Sequence, residues 1–133
     1  MTNQHQADYK PTTGEILLAA ANFLKAVEDS DLLFKIGRCA ASGAGSLEHR
    51  DMYADAVGPP SSLWSGSPSK VAWIERRLIA LAIKHYPQRC KNEQRGGGPV
   101  GEDPVHHVYI VFFPRTPEQL ADLWLLRINE IPD

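Results

Sequence analysis

A chain of 133 residues is the length of one ordinary domain, long enough to bury a core without disulfide or metal staples. With 43% hydrophobic and 23% charged residues it has the composition of a soluble globular protein, and no apolar run approaches the roughly 18 to 20 residues of a membrane span. The net charge of -2 argues against a generic nucleic-acid binder. Two cysteines, Cys39 and Cys90, are too few for a disulfide framework or a self-sufficient zinc site, so two reduced thiols are expected.

The opening MTNQHQADYKPTTGE is polar and lacks the basic-then-apolar order of a secretion signal, which makes the cytoplasm the expected compartment. Residues 1 to 11 are expected as a flexible tail and 12 to 133 as a single domain. Thr12 followed by Glu15 forms a capping-box pattern, and Ile16, Leu17, Ala20, Phe23, Leu24 and Val27 recur at helical spacing, which predicts a helix over about 13 to 28. In DLLFKIGRC the period switches to two: Leu32, Phe34 and Ile36 alternate with Leu33, Lys35 and Gly37, as in a strand. A small-residue loop, AASGAGS, follows, and Ser46 caps a predicted second helix, LEHRDMYADAV, closed by Gly58 and two prolines.

GPPSSLWSGSPS reads as a connector, with its Ser67 and Pro68 at the N-cap and first-turn positions of a long helix that stops before Pro87. QRCKNEQRGGGPVGEDP has no periodicity and reads as a long loop, and long loops in compact domains are often functional. VHHVYIVFF is the second clear strand. Thr116, Pro117 and Gln119 open a last helix with Leu120, Leu123, Trp124 and Ile128 on one side. The predicted order is α, β, α, α, β, α. Two strands make a poor sheet, so a third is expected near Leu63 and Trp64 or from a partner. The expected fold is a small α/β or α+β domain, with a central sheet of about three strands flanked by helices.

Glu75 breaks the pattern of the long helix. At about 100° per residue, Leu81, Ile74, Leu78, Val71, Ala82, Ile79, Ala72 and Ile83 fill one continuous arc, and Glu75 falls near its middle, between Val71 and Ile79. An ionised carboxylate in a core costs several kcal/mol unless it is paired, ligated or hydrated. One reading is a structural ion pair with Arg50 or Arg38. Charge is also uneven: residues 70 to 95 carry seven basic against two acidic side chains, net +5, and the remainder is acidic. That segment is either a solvated helix face or a phosphate-facing patch that includes Arg76.

The order of a strand ending KIGR, a helix with Arg50, a helix burying Glu75 and a loop with Asn92 resembles the GIY-YIG nuclease superfamily. The similarity covers roughly residues 31 to 113. It implies that Lys35, Ile36 and Gly37 stand in the second signature strand, and that Arg50 matches the helix arginine. Glu75 would be the metal ligand and Asn92 the late polar residue. The activity implied is metal-dependent cleavage of a phosphodiester bond in DNA or RNA. Glu75 would hold a divalent ion, magnesium for preference, which takes few protein carboxylates. Arg50 and Arg38 would hold phosphate oxygens, with Lys35 in support and Asn92 and Arg76 as further substrate contacts. The tyrosine-bearing first signature strand is replaced by the first helix, which leaves the identity of the base open, with Tyr53 and Tyr109 as side chains that could substitute for it in space. That substitution motivates an alternative: a non-catalytic module on the same scaffold, binding nucleic acid, a protein partner or a second copy of itself. His106 and His107, adjacent on a strand, point to opposite faces and are read as structural. The glycine-rich stretches lack the spacing and lysine of a nucleotide-binding loop.

Overall fold

The computed structural model describes residues 10–41, 55–93 and 103–132, and every structural statement below concerns these. The backbone amide of Glu15 donates to Thr12 Oγ1 at 3.2 Å while the Thr12 amide donates to Glu15 Oε1 at 2.8 Å, closing the capping box of helix α1, Thr13–Glu28. Its inward row is Ala19, Phe23 and Val27. Leu17 and Leu24, expected inside, are exposed. The helix is set by Phe23, whose ring meets Phe34 and Tyr86 edge-on at 5.7 and 6.1 Å between centroids. Leu17 and Leu24 lie round the helix from that anchor.

Strands β1 (Leu33–Ala40), β2 (Ser61–Gly66) and β3 (His106–Phe113) form one antiparallel sheet in the order β1-β3-β2. Helices α2 (Pro68–His85) and α3 (Pro117–Asn129) complete an α+β domain of three helices and three strands among the described residues. The order is therefore α, β, β, α, β, α. The expected helix over 47 to 57 lies outside the described residues up to 54. Asp55–Val57 is turn and coil, and the Val57 amide donates to the Phe112 carbonyl at 2.8 Å.

The third strand is where Leu63 and Trp64 stand. A bulge between Ser62 and Trp64 turns both large side chains inward, and Asn22 Nδ2 donates to the Leu63 carbonyl at 2.8 Å. The Trp64 ring lies over Gly66, where any Cβ would overlap it. Likewise the Tyr109 ring occupies the space above its cross-strand partner Gly37. KIG thus has its glycine where a neighbouring aromatic crosses the strand.

One core lies between the sheet and helices α1 and α2, built from Phe34, Ile36, Val108, Ile110, Phe23, Val71, Leu78 and their neighbours. On the opposite face Cys39, Tyr109, Val111 and Phe113 cluster with Ala56. Helix α3 buries only Leu123. Leu120, Trp124 and Ile128, expected on its packed side, are exposed instead, because the helix meets the body along the Gln119–Leu123 side, where Gln119 Nε2 donates to Asp31. No helix among the described residues is long and apolar enough to cross a membrane.

Candidate functional site

Helix α2 is laid on the sheet by Val71, Ile74, Leu78, Ile79 and Ala82, and Glu75 is carried inward with them to 5% exposure, whereas Leu81 and Ile83, expected in the same arc, lie at its two edges and are exposed. Facing it on β1 is the row Phe34, Ile36, Arg38, since alternate strand residues share a face. Arg38 Nε lies 3.2 Å from Glu75 Oε1, and both side chains are nearly buried, at 9% and 7% exposure. The contact is an ion pair without hydrogen-bond alignment at Oε1. Burial pushes the Glu75 carboxyl above the usual carboxylate range, while the Arg38 guanidinium and, beyond it, Arg76 pull it down.

His106 lies at the same end of this seam. It pairs with Ala40 and Gly66 in the ladder, faces the helices like Val108, and is 4% exposed. Neither ring nitrogen has a hydrogen-bond partner among the described residues. Burial, then the charge of Arg38, holds its pKa below the ordinary value, with Asp103 opposing and His107 adding a smaller lowering. His107 points to the other face, where Ser62 Oγ meets its Nδ1 at 2.8 Å. The two histidines are on opposite sides of the sheet, as strand alternation requires.

The remaining expected site residues are dispersed. Lys35 differs from Arg38 by an odd number of positions, so it shares the face of Gly37, Cys39 and Tyr109, opposite Glu75. Tyr109, a candidate base, is buried on that same far face. Arg50 and Tyr53 lie outside the described residues. Arg76 is exposed on α2.

Asn92 has a backbone task. Its Oδ1 accepts from the Ile36 amide and its Nδ2 donates to the Ile36 carbonyl, both at 2.9 Å. Just before it, the Phe34 amide donates to the Arg89 carbonyl and the Lys91 amide to the Phe34 carbonyl, with Cys90 bridged to Phe34 in parallel. Residues 89–92 therefore close the outer edge of β1.

Sequence reasoning missed Arg89. Its guanidinium donates to the carbonyls of Val27, Ser30 and Leu32 at 2.8 to 3.0 Å, gathering the end of α1 and the start of β1. The one available signal was an arginine shortly past a helix end, two residues after a proline.

A divalent ion needs oxygen ligands facing open space, and here a guanidinium stands in front of the one carboxylate of the seam. Among the described residues no group of three or more His, Cys, Asp or Glu side chains converges. The arrangement around Glu75 among the described residues is that of a buried ion pair with Arg38. No family model, curated protein or solved structure matches the chain.

The outer side of α2 has a different character. Glu75 is its only acidic residue and is turned inward, so the exposed charges are Arg76, Arg77 and Lys84. Arg77 stacks at 3.8 Å on the half-buried Trp73 ring, and Lys70 is held at 3.2 Å by Glu15. Guanidinium groups offer several donors to phosphate oxygens, and a stacked arginine keeps its in-plane donors free of the ring face.

Proposed function

We propose that the chain is a non-catalytic nucleic-acid-binding module that grips phosphates with the outer face of α2. The observation that carries this reading is the neutralisation of Glu75 by Arg38 inside the core, which leaves Arg76, Arg77 and Lys84 as a one-signed surface. Trp73 beneath Arg77 adds an aromatic platform at the edge of that surface. The acidic remainder of the chain keeps non-specific attraction low, so binding is confined to this face.

The test is fluorescence anisotropy of labelled single strands and duplexes titrated with protein between about 50 and about 200 mM salt. Three phosphate contacts predict a log–log salt slope of about -2 for single strands. Arg76→Glu/Arg77→Glu removes binding at every salt concentration while leaving the thermal transition unchanged. Salt-insensitive binding, or full binding by the double variant, overturns the proposal. The same mixtures with magnesium, resolved by electrophoresis, test the nuclease implied by the resemblance: cleavage that disappears in Glu75→Gln would replace the present reading with that one.

A further inference from the structure

Helix α3 has its apolar residues on the wrong side for a monomer. At about 100° per residue, Leu120, Ala121, Trp124, Leu125 and Ile128 follow the spacing of a core-facing stripe. Yet this stripe points away from the body, which α3 touches through Leu123 and Gln119. Leu120, Trp124, Leu125, Ile128 and, just beyond the helix, Ile131 are between 42% and 70% exposed. Asp122 and Glu130 lie more than about 90° round the helix from the stripe's centre, Glu118 lies at one rim in line with Leu125, and Arg127 sits at the other rim, 4.0 Å from Asp55. A stripe of this kind on a solvent face marks an interface.

We propose that a second copy of this chain covers it, through an antiparallel pairing of the two α3 helices about a twofold axis at Trp124. The stripe is self-complementary under that operation. Leu120 is one turn before Trp124 and Ile128 one turn after, so the axis sets Leu120 against the partner's Ile128 and Trp124 against the partner's Trp124. Ala121 and Leu125 form one flank and meet their own kind, with Glu118 at the outer end of that flank, where it stays in water. From these fractional exposures the stripe offers at most roughly 500 Å² per copy, so complete covering on two copies reaches about the 1,000 Å² at the lower bound of a specific interface and fits a weak dimer. A helix of 13 residues carrying Glu118 and Asp122, and capped by Glu130, is too short to span a bilayer and has the wrong charge to lie on an anionic one.

Sedimentation of the full chain from about 1 to about 200 µM reads the association directly. The wild type is expected to move from monomer to dimer across this range. Trp124→Glu weakens the dimer at least about thirtyfold, as for a central aromatic anchor. Leu126→Glu, an equally exposed leucine on another side of the helix, leaves it unchanged. The double variant Leu120→Glu/Ile128→Lys regains what Leu120→Glu alone loses, since each new acid meets the partner's new base only in the antiparallel register. A wild type that stays monomeric throughout overturns the proposal, including in favour of a different protein on this face. Equal losses for Trp124→Glu and Leu126→Glu, or no rescue by the double variant, overturn it as well.

Discussion

A histidine held in a core with both ring nitrogens unbonded is tolerated as the neutral imidazole, because the charged form would be both desolvated and next to Arg38. The folded state therefore binds a proton at His106 less readily than the unfolded chain does. Its contribution to stability is fully present above the ordinary value of 6.5 and is lost as pH falls from there through the lowered folded value. Glu75 acts in the opposite sense: with its pKa raised, stability falls as pH rises from the ordinary 4.5 through the folded value. Denaturant unfolding on either side of pH 6.5 should show the protein weaker on the acid side, and His106→Leu should remove that difference. An unchanged profile in the variant would assign the acid sensitivity to another group.

At the scale of elements, the edge of β1 is governed by residues with no secondary structure of their own. The Asn92 side chain is an amide set parallel to a peptide group, giving Ile36 the donor and acceptor that a neighbouring strand would give. Asn92→Ala leaves both Ile36 groups unmatched at a part-buried site, which costs about 1 to 3 kcal/mol. The expected result is a lower denaturation midpoint with a large rise in amide exchange at Ile36 and little change at β3. Equal acceleration across the sheet would mean that the clamp holds the whole sheet and not its edge.

Taken whole, the molecule was unevenly legible. Helices α1 and α2 could be bounded from Thr12, Glu15, Ser67 and Pro87 because caps and breakers are local chemistry. Strand β2 was seen only as a place, near Leu63 and Trp64, because its bulge replaces alternation with two consecutive inward residues. Glu75 stood out from periodicity alone, and Arg38 was among its named partners. The separation of Lys35 from Arg38 was already implied by their odd spacing, although the resemblance set both at one site. Asn92 and Arg89 act through backbone groups brought close only by the fold, and no pattern in their own neighbourhood announces that. Whether the Arg38–Glu75 pair serves stability or binding can be decided by replacing both together. Arg38→Met/Glu75→Leu should fold with unchanged or higher stability, by up to about 4 kcal/mol, since buried pairs rarely repay their desolvation. Its nucleic-acid affinity should match the wild type, because both residues lie behind the α2 surface. A loss of binding in a stable variant would place the pair in the binding site.

The sheet order β1-β3-β2 also sets a schedule. Within the sheet both outer strands form their ladders with β3, and among the described residues no ladder pair joins residues fewer than about forty positions apart. At ribosomal speeds of roughly 5 to 20 residues per second, β1 and β2 exist for seconds before the strand that unites them is made. Through that interval the apolar faces of α1 and α2 have no floor to rest on. The central strand arrives last, and with it the whole sheet forms in one event.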